Sequence, residues 1–170
     1  MNEDYYITID KKWFKFEKDQ NEVWISEYGQ IGLMIYCIIK QFMTMHFDNL
    51  YITNMQRILD IFNVSIHSNV NKYKKVMNTF YQMVNDDIIK CYDVDTNNMI
   101  SKSEIKNMSD SKLLFVQLPK FENYIEAKLS DVNKILYLQN ASGKLAIYLY
   151  IIGCINHNTK VWSMPITDLM

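Results

Sequence analysis

The sequence predicts an α+β fold that is mostly helical, with one complete helix-rich module followed by the first part of a second copy. Two observations predict it. Apolar segments with helical spacing alternate with short β-prone runs, and the pattern of the first half restarts after about residue 108. The 170 residues are 49% hydrophobic, which suffices for one ordinary domain or two small ones. We therefore expect a first domain over 1–108 and the start of a second over 109–170.

The first module opens with β-prone segments and a strongly apolar helix. Residues 5–10 alternate between two faces, as a half-buried strand does, and residues 23–25 are a second β-prone run. Gly29 and Gly32 lead into residues 31–47, which are apolar on nearly every side. Such a helix belongs at the centre of a core or at an oligomer contact.

Three further segments complete the helical part of this module. Residues 50–52 are β-prone, and Thr53 is the expected N-cap of a helix that ends near Phe62. After a break at 63–65, a longer helix is indicated over 68–85, because its apolar residues recur at steps of three and four. The residues expected to form its buried stripe are Val70, Tyr73, Met77, Phe80 and Val84.

A hairpin is predicted after this helix, because the β-prone runs 88–94 and 99–105 flank a polar turn at 95–98. Helix, short strand, helix, break, longer helix and hairpin is the order of a winged helix-turn-helix. In that fold the third helix can enter the major groove of double-stranded DNA, while the hairpin contacts the backbone.

Polar side chains lie opposite the buried stripe of the 68–85 helix, given a rotation of about 100° per residue. Its lysines can neutralise phosphates, and its amides can hydrogen-bond base edges. A solvated helix face is the alternative, since it would carry lysine and asparagine in any case. No arginine is present there to make the commonest guanine contact. The candidate DNA-binding residues are Ser68, Asn71, Lys72, Lys74, Lys75, Asn78 and Gln82, with Lys90 in the hairpin.

The second half repeats the pattern in part. Residues 114–118 resemble the opening strand, and residues 143–155 resemble the first long helix, with Tyr150 in the position of Tyr36. The apolar faces of residues 145–155 would be exposed in an incomplete copy, which predicts self-association. The chain then ends on residues that match the start of the second helix, namely Trp162, Pro165, Ile166, Leu169 and Met170.

Five segments cover most of the chain: "YYITIDKKWF", "GLMIYCIIKQFM", "YITNMQRILDIFNVS", "NKYKKVMNTFYQMVNDDIIK" and "GKLAIYLYIIGCINHNTKVWSMPITDLM". Together they resemble replication initiators of plasmids and phages from low-GC Gram-positive bacteria, including the winged-helix part of DnaD-like primosome proteins. The resemblance implies a role in DNA replication through origin or single-stranded DNA handling, together with self-association.

A calcium site is a rival prediction for residues 93–104, "DVDTNNMISKSE", which fit the twelve-residue loop of an EF-hand. Asn98 stands where that loop has glycine, and no partner loop lies about 35 residues away on either side. A hairpin turn would use the same Asp and Asn side chains for local hydrogen bonds. The oxygen donors would be Asp93, Asp95, Asn97, Ser101 and Glu104.

Apart from this candidate calcium loop, no catalytic, metal or cofactor site is evident in the sequence. The three cysteines lie apart among aliphatic residues, where a thiol behaves as a small hydrophobe. The three histidines have no Cys, Asp or Glu at ligand spacing on a shared helix face. These residues are Cys37, Cys91, Cys154, His46, His67 and His157. We therefore expect a non-enzymatic protein with no cofactor.

Cysteine usage and the lack of a secretory signal predict a reducing, cytoplasmic setting. The apolar runs 33–39 and 145–152 are shorter than the roughly 18 residues that a membrane span needs. The chain has 18 basic and 19 acidic residues, so DNA contact would require a local basic face. A DNA-binding protein of replication initiation or regulation is the leading hypothesis. A winged helix used only for protein assembly and a calcium-binding module are the alternatives.

Overall fold

A computed structural model describes residues 5–45, 50–65, 67–119 and 123–156. The strands in these ranges are β1 (Tyr6–Asp10), β2 (Leu50–Thr53), β3 (Lys90–Asp93), β4 (Leu114–Gln117) and β5 (Tyr124–Lys128). The helices are α1 (Trp24–Met45), α2 (Met55–Phe62), α3 (Val70–Asn85), α4 (Lys102–Lys106), α5 (Leu129–Leu136) and α6 (Ala141–Asn156). The predicted α+β class with mostly helical content is confirmed.

The chain divides into two compact units. One comprises residues 1–37 together with 121–170, and we call it the split unit. The other comprises residues 38–120, and we call it the winged unit after the fold that the sequence predicts for this region. These bounds differ from the predicted division into 1–108 and 109–170. The physical reason is strand pairing, because β1 at the start of the chain pairs with β5, which follows the whole winged unit.

The split unit is organised by the β1–β5 pair and an aromatic cluster. The two strands run antiparallel, from Tyr6 opposite Lys128 to Asp10 opposite Tyr124. The alternation predicted for residues 5–10 holds over residues 6–9, where Ile7 and Ile9 are fully buried, whereas Tyr5 is exposed and Asp10 is buried. Beyond β1, a short 3-10 helix buries the Trp13 ring. That ring meets other aromatic rings edge-on, which is a favoured geometry for aromatic pairs.

Helix α1 begins at Trp24, so the β-prone run predicted at 23–25 is wrong. The Trp24 ring packs against Trp13 with 5.6 Å between centroids, and this tertiary contact outweighs local β propensity. The helix is kinked at Gly29, which has a φ of 63°. That left-handed conformation is open to glycine and strained for residues with a Cβ atom. Beyond the kink, residues 33–39 are all buried, as the apolar pattern predicts.

The winged unit contains the end of α1, then β2, α2, α3, β3, α4 and β4. The predicted succession of helix, strand, helix and helix is present, whereas α4 separates the two strands that follow. The antiparallel sheet of this unit has the order β2-β4-β3, so that Val116 of β4 lies opposite both Tyr51 and Cys91. Helix α2 starts one residue later than predicted. The Asn54 side chain accepts a hydrogen bond from the Arg57 N–H and is the N-cap, while Thr53 is a buried residue of β2.

The wing between β3 and β4 is longer than the predicted hairpin. Residues 99–105 do not form a strand: Met99 alone bridges to Tyr92, and α4 begins after Ser101. Ser101 and Glu104 form a capping box, in which each side chain bonds the other residue's backbone N–H. This S-x-x-E pattern specifies a helix start and outweighs the β-prone apolar residues around it.

Residues 114–118, predicted as the opening strand of the second copy, contain β4, the central strand of the winged unit. Helix α6 is present where the sequence predicts it, and α5 is an additional helix. The C-terminal match from Trp162 to Met170 lies outside the described residues. Among the helices that the structure describes, none combines the length and apolar character needed to cross a bilayer.

Two glycines of α6 provide a test of packing in the split unit. A Cβ atom at Gly153 would overlap the Phe16 ring, whereas one at Gly143 would make ordinary contact with the Gln30 side chain. We expect Gly153→Ala to lower the free energy of unfolding by about 1–3 kcal/mol through overpacking. Gly143→Ala should raise it by about 0.5–1 kcal/mol, the usual gain in a helix. Urea denaturation followed by tryptophan fluorescence measures both, and equal effects would contradict this packing.

Candidate nucleic-acid interface

Helix α3 is held by an apolar stripe close to the predicted one. Met77, Phe80 and Val84 are buried as expected, and two of their sequence neighbours, Val76 and Met83, join this stripe. Tyr73 is only partly buried. Val70 departs from the prediction, because its side chain is 43% exposed. It is the first residue of the helix, directly after the left-handed N-cap Asn69, and lies beyond the reach of the core.

Asp110, at the end of the segment between β3 and β4, hydrogen-bonds to the first turns of α2 and α3. Its backbone carbonyl accepts a hydrogen bond of 2.9 Å from the Gln56 N–H. Its carboxylate accepts a second bond, also 2.9 Å, from the Tyr73 hydroxyl. Burial, followed by this bond to Asp110, raises the pKa of Tyr73 to about 12. The orientation of α3 relative to the wing is therefore set by side-chain and backbone contacts within the winged unit.

The surface of α3 that points away from the core is basic and rich in amides. We call Asn71, Lys74, Lys75, Asn78 and Gln82 the outer face of α3; all five are exposed. The helix carries three lysines and no carboxylate. Residues 38–120 contain ten basic and eight acidic residues, whereas the rest of the chain contains eight and eleven. Positive charge is therefore concentrated in the winged unit, although the whole chain is nearly neutral.

Two predicted DNA-binding residues have partners inside the protein. The Lys72 ammonium donates a hydrogen bond of 2.9 Å to the Phe62 carbonyl at the end of α2, and lies 5.9 Å from the Phe62 ring centroid. Ser68 precedes the helix, and its hydroxyl lies 3.0 Å from that of Ser65 in a tight turn. These contacts give both residues a structural role. Lys90, the first residue of β3, is exposed.

The end of α3 is acidic. Asp86 is the C-cap and Asp87 follows it with a φ of 58°; both are exposed. Carboxylates at this position repel phosphates. Any contact with a polyanion is therefore favoured along the first two turns of α3, which contain its three lysines.

The loop predicted to bind calcium uses its side chains for other contacts. Asp93 forms an ion pair with Lys112 and accepts hydrogen bonds from the backbone N–H groups of Asp95 and Thr96. The bond from Lys112, followed by these backbone bonds, lowers the pKa of Asp93 to about 2. The built-in ammonium of Lys112 thus neutralises the first predicted calcium ligand.

The other end of this loop is engaged as well. Glu104, the last of the predicted oxygen donors, accepts a hydrogen bond of 2.8 Å from the Ser101 N–H. Asn97 adopts the left-handed conformation, whereas Asn98, at the position where an EF-hand has glycine, accepts a backbone bond from Asp93. Within the part of the chain that the structure describes, no three His, Cys, Asp or Glu residues are grouped to hold a metal ion. The geometry is that of a hairpin turn followed by a capped helix.

The three cysteines are buried, and burial raises the pKa of each thiol, to about 12 for Cys91. A thiol in this environment is a poor nucleophile. His67 is exposed in the turn before α3, while His46 and His157 lie outside the described residues.

Self-association through α6 stays a prediction. Leu145 and Leu149 are fully buried, whereas Ile147 and Ile155 are 38% and 55% exposed.

Comparison with known proteins identifies no relative: no family model, no curated protein and no solved structure matches this chain.

The bond between Tyr73 and Asp110 is testable by its pH dependence. We expect Tyr73→Phe to lower the free energy of unfolding at pH 7 by about 1 kcal/mol, the usual contribution of one hydrogen bond. Because folding raises the Tyr73 pKa from 10.0 to about 12, its stabilisation is complete below pH 10 and is lost as the pH rises to 12. The difference between wild type and variant should therefore shrink over that range.

The control for this prediction is Tyr137→Phe, which changes a tyrosine that is 73% exposed and should shift stability by less than about 0.5 kcal/mol. Urea denaturation at pH 7, 10 and 11.5 provides the measurement. A difference between wild type and Tyr73→Phe that stays constant with pH would contradict the proposed bond.

We expect calcium to leave the stability of the protein unchanged, because Lys112 neutralises Asp93 and Ser101 engages Glu104. A site with a Kd of about 10 µM would add about 2.7 kcal/mol at about 1 mM calcium. Thermal unfolding with and without 1 mM calcium chloride decides between these outcomes. A rise in the midpoint that Asp93→Ala abolishes would restore the calcium hypothesis.

Proposed function

We propose that this chain is a non-enzymatic DNA-binding protein that contacts double-stranded DNA through the outer face of α3. The observation that carries this proposal is the exposure of Lys74, Lys75 and three amides on a helix with no carboxylate. Lysine contacts to phosphates release counterions and dominate the affinity of most DNA-binding proteins. The order of elements in the winged unit supports the proposal, because the third helix of such a unit is the one that enters the major groove.

Replication initiation or regulation is the role we propose for this binding, with single-stranded DNA as a second partner. Its support is the sequence resemblance alone. The competing proposal, a winged helix used only for protein assembly, predicts no salt-dependent binding to DNA. A titration with a DNA duplex at several salt concentrations therefore separates the two functions.

We expect wild-type protein to bind a mixed-sequence duplex of about 20 base pairs, with an affinity that falls as salt rises. The double variant Lys74→Ala, Lys75→Ala should reduce the slope of log K against log salt by about 2, since each lysine contacts about one phosphate. Fluorescence anisotropy of a labelled duplex provides the measurement. Absence of salt-dependent binding by the folded wild type would contradict the proposal.

The matched control is Lys134→Ala, Lys144→Ala, which removes two exposed lysines of the split unit and changes the net charge equally. Its slope should equal that of the wild type within about 0.5, because these residues lie outside the winged unit. If both double variants weaken binding equally, contact is governed by overall charge and α3 is not the binding surface. Lys72→Ala should lower the free energy of unfolding and leave the slope of log K against log salt close to the wild-type value, because the Lys72 ammonium bonds the Phe62 carbonyl.

A further inference from the structure

We infer that the outer face of α3 and the neighbouring Val70 select A·T base pairs in the major groove, with the amides reading adenine and Val70 reading the thymine methyl group. This inference rests on the proposed DNA-binding function and names the class of sequence that is bound. It depends on three observations of the described residues: the alignment of the amides, their lack of internal partners, and the exposure of Val70.

Asn71, Asn78 and Gln82 form one row along α3. At 100° per residue they fall within about 20° of a common line, and at 1.5 Å per residue they span about 16 Å. That length covers about five base-pair steps of 3.4 Å. Asn and Gln form paired hydrogen bonds with the N6 and N7 atoms of adenine. The row therefore presents adenine-reading groups along the stretch of groove that one helix can follow.

These amides have no hydrogen-bond partner within the described part of the chain. Neighbouring amides of the winged unit do have one: Asn54 and Asn69 cap helices, and Gln56 donates to Asp60 at 2.7 Å. The helix caps of α2 and α3 are thus formed by other amide residues. The amide row is consequently available for an external partner.

Val70 contributes an apolar group at the start of the same helix. Its side chain is 43% exposed, although a valine at a helical core position would be buried. The C5 methyl group of thymine lies in the major groove, and apolar side chains distinguish thymine by contacting it. At 100° per residue Val70 lies beside the amide row, one turn before Lys74 and on the same side of the helix, so it fits a thymine methyl group at the edge of the contacted stretch of groove.

The lysines of this surface can add affinity for DNA. Because α3 contains no arginine, it lacks the side chain that most often selects guanine. Lys74 lies about 60° to one side of Asn71 and Lys75 about 40° to the other, so lysines flank the amide row. Flanking lysines reach the phosphates on the two sides of the groove. The single arginine of the chain, Arg57, belongs to α2, so the paired arginine contact to guanine is absent from α3.

Fluorescence anisotropy with matched duplexes tests this inference. We expect wild type to bind a duplex of mixed A·T pairs roughly tenfold more tightly than a G·C duplex of equal length at one salt concentration. The variant Asn71→Ala, Asn78→Ala should lose most of this ratio and keep the salt slope. Lys74→Ala, Lys75→Ala should weaken binding to both duplexes and keep the ratio. Circular dichroism confirms that each variant is folded.

Base analogues show whether reading occurs in the major groove. Replacing thymine by uracil removes only the C5 methyl group, and should weaken wild-type binding while leaving Val70→Ala unaffected. Replacing adenine by 7-deazaadenine removes the N7 acceptor, and should weaken wild type more than the amide variant.

The outcomes separate this inference from the proposed function. Equal salt-dependent affinity for A·T and G·C duplexes, or a preference for G·C, would overturn A·T selection and leave DNA binding intact. A preference for A·T that is insensitive to both analogues would place the reading outside the major groove and would also overturn it. No binding to either duplex would overturn the inference and the proposed function together.

Discussion

The winged unit depends on the position of Asp110 at the end of the wing. This residue bonds the first turn of α2 through its carbonyl and the start of α3 through its carboxylate, and the chain then enters β4. Strand β4 pairs with β2 on one side and β3 on the other. Because Leu114 and Val116 are fully buried, a shift of register would move them to the opposite face of the sheet. The direction in which α3 presents its outer face follows from these contacts.

Lysines of similar sequence context have different roles on this surface. Lys72, Lys74 and Lys75 are close neighbours on α3, yet Lys72 bonds the carbonyl end of α2, where a cation is favoured by the helix dipole. Lys74 and Lys75 lie on the outer face and are exposed. The lysine cluster therefore combines one residue that joins two helices with two residues whose side chains are exposed.

The wing shows how a ligand pattern can be satisfied internally. Residues 93–104 have oxygen donors at the spacing of a calcium loop, and the same spacing also suits an Asx turn followed by a capping box. The deciding residue is Lys112, which lies outside the pattern and pairs with Asp93. The Lys112 ammonium thus supplies, from outside residues 93–104, the positive charge that Asp93 would otherwise receive from a bound cation.

Local sequence patterns determined much of the secondary structure of this protein and which face of each element is buried. The alternation in β1, the all-round apolar part of α1, the amphipathic spacing of α3 and the exposure of its amides and lysines were predictable from the sequence, because each depends on the period of one element. Only the tertiary structure decided that Trp24 is helical, that 114–117 is the central strand of the winged unit, and that β1 pairs with β5. It also decided that Lys72 bonds α2 and that Val70 is exposed. Those features depend on residues distant in sequence, whose contacts outweigh the weak local preferences of short segments.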